Sequence, residues 1–244
     1  MEKEKVLLIV GCSHAAGHEI DGEMDSQYNR AHSFGAKLAE RLHRKPVNLG
    51  MGGLSNQGIA RTVLRWVDRE WNPDTQDLMV LVCWSECSRM EVPVKHAAMC
   101  YHQSPEYPVH VNNMYYQVNA SWQGGNEEEK KIIMPLQNFM GEHVKFLETL
   151  GAMQVLMLQN FLKNTGIEYI MCNTMDMFTP GPHLANYTSL IDTKYYYNAY
   201  DNTKSFYWYY RDMGYTNPKA QYWHHDEVPH ELYAQELYDF YRRA

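Results

Sequence analysis

Three short stretches bring together residue types that could carry acyl transfer. Gly11-Cys12-Ser13-His14 follows an apolar run, Gly50-Met51-Gly52-Gly53 forms a glycine-rich turn, and His224-His225-Asp226 lies far along the chain. A serine hydroxyl attacks an acyl carbon when an imidazole takes its proton, and amides of a glycine turn can hold the resulting oxyanion. A fourth stretch, Trp84-Ser85-Glu86, could add a hydroxyl donor. Taken alone, Ser13 reads as a turn or helix-cap serine, and the glycines as a tight turn needing positive φ. The turn lacks the glycine spacings of dinucleotide and phosphate-binding loops, so nucleotide binding is not expected.

The elements around these residues explain why they could meet. Val6–Val10 is an unbroken β-branched and leucine run, as in a central strand buried on both faces. Ser33–Leu42 carries Phe34, Leu38 and Leu42 on one helical face, with Ser33 as its cap. Pro46–Leu49 is a second strand leading into the glycine turn, and Ser55–Trp71 a helix with Ile59, Val63, Trp66 and Val67 on one side. Asp77–Cys83 reads as a third strand. The alternation with short connections indicates parallel βαβ units, in which ligands bind beyond the carboxyl ends of the strands. Ser13, Gly50–Gly53 and Ser85 all fall at such ends.

Further along, residues 92–125 have little periodicity and read as an insertion. Glu127–Asn164 is helical, with a break expected near Gly151, and Ile167–Cys172 is a fourth strand. Residues 176–223 are irregular and dense in Tyr, without a fifth strand that can be placed. Pro229–Arg242 is a closing helix with Leu232, Leu237 and Phe240 inward. No internal repeat or linker divides the chain, so residues 1–244 are expected to form a single domain with two elaborated loops.

In combination, the blocks resemble the SGNH (GDSL-type) hydrolases. Gly11-Cys12-Ser13-His14 is similar to the family's first block, and Asn48-Leu49-Gly50-Met51-Gly52-Gly53-Leu54-Ser55 to its second. His224-His225-Asp226-Glu227-Val228-Pro229-His230-Glu231-Leu232-Tyr233-Ala234 is similar to the last. The likeness covers residues 5–92 and 221–240. It implies an α/β fold, a three-layer α/β/α sandwich with a parallel, flavodoxin-like sheet whose first three strands lie in the order 2-1-3. It also implies Ser13 as nucleophile, His224 as general base and Gly53 as an oxyanion glycine. The function implied is a serine esterase or deacetylase acting on a small-molecule or carbohydrate ester, with no metal or organic cofactor. Divergent chains of this kind are common among tailed-phage proteins, which implies a virion or self-assembly partner as an alternative setting.

The chain departs from the family pattern twice. The third block's Gly-x-Asn-Asp is replaced by Cys83-Trp84-Ser85-Glu86, so only the Ser85 hydroxyl stands where an amide donor is usual. The relay acid, normally three residues before the histidine, is Gln221. His224 is therefore expected to donate to a neutral acceptor, the Gln221 side chain or a nearby carbonyl. His14, Trp84, Asn56 and His225 are further candidates for lining the site. A metal centre at His224, His225 and His230 lacks accompanying carboxylates or thiolates at ligand spacing and is not expected. The alternative to catalysis is an inactive module of this lineage with a structural or binding role.

Composition narrows the classes further. The chain of 244 residues carries 22 Lys+Arg against 29 Asp+Glu, a net charge of −7 without a basic run, so nucleic-acid binding is not expected. Five cysteines with no CxxC pair read as buried free thiols in a reducing compartment. The first apolar run is too short for a secretory h-region, and no stretch approaches a membrane span. A cytoplasmic site of synthesis is expected. Nineteen Tyr and six Trp are many for this length. Trp122, Tyr195, Tyr196, Tyr197, Trp208 and Trp223 are expected to build a satellite core beneath the loops rather than an exposed face.

Overall fold

The first strand shows how one short run supports two layers. In β1 (Glu4–Gly11) side chains alternate between faces: Val6, Leu8 and Val10 enter one apolar cluster, Leu7 and Ile9 the other. β3 (Gln76–Trp84) does the same with Leu78, Val80 and Val82 against Met79, Leu81 and Cys83. Both faces therefore need helices. A computed structural model, describing residues 2–93, 115–119, 127–178 and 181–244, shows them in place. α3 (Phe34–Arg41), α8 (Phe206–Asp212) and α9 (Glu227–Arg243) cover one face; α4 (Asn56–Arg69) and α6 (Val144–Thr165) cover the other. The protein is a three-layer α/β/α structure.

β2 (Lys45–Asn48), β1, β3 and β6 (Glu168–Asn173) form a parallel sheet in the order β2-β1-β3-β6. The expected 2-1-3 order of the early strands is present. The fifth strand is reduced to one parallel bridge, Met171 to Tyr196, in which Met171 N–H donates to Tyr195 O and Tyr197 N–H to Met171 O. Helix starts follow local chemistry: Ser33 and Ser55 cap α3 and α4 by accepting from Ala36 N–H and Gly58 N–H, and Asp226 caps α9 through Val228 N–H.

Three expectations about the elements need correction. Leu232, expected inward on α9, is exposed. The long helix breaks at His143, between α5 (Glu127–Glu142) and α6, whereas Gly151 lies inside α6. A Cβ at Gly151 would sit 2.7 Å from Cys87 Sγ, so the glycine serves close packing and not a hinge. The insertion is partly regular, since β4 (Arg89–Pro93) and β5 (Tyr115–Asn119) pair antiparallel. Most of its residues, Trp122 included, lie outside the described residues.

Of the described aromatics in this segment, Trp223 alone departs from the expected packing. Tyr196 is buried, and Tyr195, Tyr197 and Trp208 are partly so, while Trp223 stands 80% exposed. Four cysteines, Cys12, Cys83, Cys87 and Cys172, are free and buried. Among the described residues no helix is long and apolar enough to cross a membrane.

Candidate active site

β1 pairs with β3 up to Gly11 and Cys83, and there the chain must turn sharply. A Cβ on Gly11 would lie 2.6 Å from both the Ala15 and Cys83 Cβ atoms, so only glycine lets α1 (Ser13–Ala16) fold back onto the strand end. Ser13 is the first residue of that short helix and is largely buried. Beyond β2 the backbone keeps following β1, with Leu49 N–H donating to Ile9 O and Met51 N–H to Gly11 O. The glycine turn thus lies beside the serine. Asn48 ties it down: its amide donates to Ala15 O and Ser33 Oγ, and its Oδ1 accepts from Gly50 N–H. Arg30, paired with Asp25, donates to Asn48 O and Gly50 O. Gly53 has φ +73°, the left-handed region expected of the turn, and open space around it.

On the other side of β1, Ser85 stands two residues past the Gly11–Cys83 pair, as Ser13 does. Asn56 holds it through a reciprocal pair, accepting from Ser85 N–H at 2.8 Å and donating to Ser85 O at 2.9 Å. The Asn56 amide also reaches Met177 Sδ. Asn56 is therefore a positioning residue for the loop beyond β3. The Ser85 hydroxyl is buried and finds no partner among the described residues. Trp84 is fully buried in the core.

The acceptor behind His224 is not the one expected. His224 Nδ1 lies 2.6 Å from Glu19 Oε2, and the carboxylate also accepts the backbone N–H groups of Gln221 and Tyr222. Gln221 contributes its backbone, not its side-chain oxygen. Glu19 adopts φ +63° in the loop after α1, its amide donating to Glu23 O and its carbonyl accepting from Asn217 Nδ2. Burial pushes the Glu19 carboxyl up, but the His224 hydrogen bond and the two amides outweigh it and hold the group below the ordinary carboxylate range. Burial first, and the charge of Arg89 with it, holds the His224 proton affinity below the ordinary value although Glu19 raises it. The pair is thus a carboxylate and a neutral imidazole protonated on Nδ1, which leaves Nε2 basic. Sequence reasoning missed Glu19 because it sought the acid beside the histidine. Nothing in the sequence singles Glu19 out from Asp21, Glu23 and Asp25 in the same stretch.

The remaining imidazoles have separate tasks. His14 lies 4.9 Å from the His224 ring and 5.3 Å from Tyr207, centroid to centroid, with Nδ1 buried and without a hydrogen-bond partner among the described residues. Burial, then the neighbouring His224, holds its proton affinity well below the usual value. His18 places its ring 5.7 Å from His224, with Nε2 3.9 Å from Asp25. His225 Nε2 donates to Tyr207 O, a packing role. His230 Nδ1 accepts from Phe34 N–H, satisfying an amide at the start of α3. Among the described residues no group of three His, Cys, Asp or Glu side chains is arranged to hold a metal.

A cavity of about 370 Å³ opens beside His224, lined by Tyr207, Arg211, Tyr215, Asn217, Trp223 and His225 among others. Arg211 lies 4.1 Å from the Trp208 ring. No hydrogen bond joins Ser13 Oγ to His224 among the described residues. The structure therefore brings Ser13, His14, Gly53, Ser85 and His224 to one end of the sheet, and leaves Gln221 and Asn56 in supporting roles.

Two solved structures are similar to this chain at low identity. One is a carbohydrate esterase family 2 enzyme plus carbohydrate-binding domain from Corynascus thermopiles (Myceliophthora fergusii). It is 10% identical, with 99% of this chain and 67% of that chain covered and a TM-score of 0.46. The other is an acetyl xylan esterase from the rumen bacterium Butyrivibrio proteoclasticus, 13% identical, with 100% and 64% covered and a TM-score of 0.40. The chain thus spans about two thirds of the length of each. No curated protein matches it. A family profile does, over residues 18–239, and on that match the chain belongs to the family described as "Family of unknown function (DUF6071)".

Proposed function

We propose that the protein is a serine ester hydrolase with Ser13 as nucleophile, His224 as general base and Glu19 as the acid that orients it. The observation that carries this reading is the Glu19–His224 hydrogen bond of 2.6 Å, at the end of the sheet where Ser13 opens α1. A buried carboxylate that fixes an imidazole tautomer beside a serine is the arrangement that acyl transfer needs. Ser13 Oγ attacks the acyl carbon while His224 Nε2 takes its proton, and the carbonyl π pair moves to oxygen. Collapse breaks the ester C–O bond, and the proton on Nε2 passes to the leaving alcohol. Water, activated by the same nitrogen, then hydrolyses the acyl-serine. Backbone amides of Ser13 and Gly53, with the Ser85 hydroxyl, face the oxyanion in this reading. The cavity with Trp223, Tyr207 and Arg211 on its walls would take the alcohol portion, a small molecule or carbohydrate.

A second reading, a binding module without turnover, is favoured by the missing hydrogen bond between Ser13 and His224. Catalytic hydrogen bonds are often long before substrate binds, so that geometry alone does not decide the matter. Labelling with a fluorophosphonate does. The expected result is covalent modification of the wild-type chain at Ser13, lost in Ser13→Ala and slowed at least a hundredfold in His224→Ala. A wild-type chain left unlabelled under conditions that label a control serine esterase would make it a binding module.

A further inference from the structure

Arg89 begins β4 just past the loop that carries Ser85, and its side chain is only 9% exposed. Its Nε donates to Glu86 Oε1 at 2.8 Å, which fixes one edge of the guanidinium. Nη1 is buried and finds no acceptor among the described residues. An unmade hydrogen bond on a buried charged group is costly, and such groups in native structures call for an explanation. The guanidinium also contacts the side chain of Cys12, the residue before Ser13. Its charge reaches the site itself, lowering the proton affinity of both His14 and His224. A fixed cation with a spare donor therefore stands where β1 and β3 end.

The other donors at this end are few. The Asn56 amide is committed to Ser85 O and Met177 Sδ, so it cannot replace the side-chain amide that the third block lacks. The Ser85 hydroxyl is a single neutral donor. We propose that Arg89 is a catalytic residue, its Nη1–H donating to the negative oxygen that forms on the acyl carbon attacked by Ser13. The proposal rests on Ser13 acting as nucleophile. No proton is transferred in this step: the hydrogen bond tightens as the π pair moves onto oxygen and relaxes when the C–O bond breaks. Glu86 balances the guanidinium charge and holds it in place, so little reorganisation accompanies the reaction.

Two measurements on the full chain test this. In the first, Ser13→Ala protein is titrated calorimetrically with methylphosphonate, a tetrahedral anion that mimics the intermediate. Millimolar or tighter binding is expected, weakened at least tenfold by adding Arg89→Gln. In the second, fluorophosphonate labelling of Ser13 is timed in Arg89→Gln and Arg89→Lys, with circular dichroism and thermal midpoint confirming the fold. A slowing of about 10²–10³ is expected for the glutamine variant, the usual loss for one oxyanion donor, and a smaller one for lysine. If the glutamine variant does not fold, the lysine variant carries the test, with at least a tenfold slowing expected. Labelling within threefold of wild type, or methylphosphonate binding that is absent or indifferent to Arg89, overturns the proposal. Binding that depends on Arg89 in a chain whose serine never labels would leave an anion site at Arg89 and overturn both its catalytic role and the hydrolase reading.

Discussion

Glu19 combines two tasks that different residues could have shared. Its Oε2 orients His224, and its oxygens also gather the amides of Gln221 and Tyr222, which fixes the approach to the histidine. Glu19→Gln should therefore cost catalysis more than a distant acid would, since an amide can present the wrong atom to Nδ1. Labelling of Ser13 should slow on the order of 10³–10⁴-fold, the scale of losing a relay carboxylate. A slowing of less than tenfold would remove Glu19 from the relay. The pH dependence follows from His224, which must be neutral to accept a proton. Burial places its proton affinity below the ordinary imidazole value of about 6.5. The labelling rate should thus rise with pH along a limb centred below 6.5 and be flat above it. Glu19 supports the protonated form through its hydrogen bond and charge, so in Glu19→Gln any residual limb should move to still lower pH. A limb centred above 7 would contradict this assignment.

At the scale of elements, glycines and caps near the site are required for different reasons. Gly11 stands where a Cβ would lie 2.6 Å from two other Cβ atoms and 2.8 Å from Cys83 O. Gly11→Ala must push β1, β3 and α1 apart, with a cost of about 1–3 kcal/mol or more. Gly53 has space around it but φ +73°, so Gly53→Ala should cost about 1–2 kcal/mol through backbone conformation alone. Urea unfolding midpoints compare the two, and a larger loss for Gly53 would reverse the argument. His230 supports α3 rather than chemistry, because its Nδ1 accepts from Phe34 N–H. His230→Ala should lower stability by about 1–3 kcal/mol by leaving that buried amide unpaired. The thermal midpoint should fall while labelling of Ser13, compared at a temperature where both proteins are folded, stays within a fewfold.

For the whole molecule, the buried imidazoles couple stability to acidity. His14, His224, His225 and His230 all have proton affinities depressed first by burial. At pH 7.5 they are neutral in the folded and unfolded chain alike and contribute no slope. Below about 6.5 the unfolded chain binds protons that the folded chain refuses, so the unfolded state holds more protons and stability falls with falling pH. The thermal midpoint should therefore drop between pH 7.5 and pH 5.5, before the carboxylates titrate. A flat or rising midpoint over that interval would mean that these rings are not held neutral. The loss should begin in the layer of α3, α8 and α9, where His14, His225 and His230 pack against Phe206.

What the sequence determined by itself is the part of the structure governed by neighbours in the chain. Unbroken apolar runs such as Val6–Val10 could only be strands covered on both sides, and Ser33 and Ser55 marked helix starts through their own hydroxyls. These signals indicated parallel βαβ units; the order of β2, β1 and β3, which brings the strand ends bearing Ser13, Gly53 and Ser85 together, came from the family resemblance and is present in the sheet. The helix break failed at Gly151 because a glycine can answer to packing from Cys87 as well as to backbone freedom. Only tertiary structure decided the partners of the functional groups. Glu19 and His224 are 205 residues apart, joined because the loop after α1 and the segment before α9 converge on one edge of the fold. Neither has a periodicity or spacing that records the pairing. The same holds for Arg89, which reaches Cys12 only because β1 and β3 lie side by side. Periodic burial is written locally, residue by residue, whereas hydrogen bonds between irregular segments exist only once the chain has closed on itself.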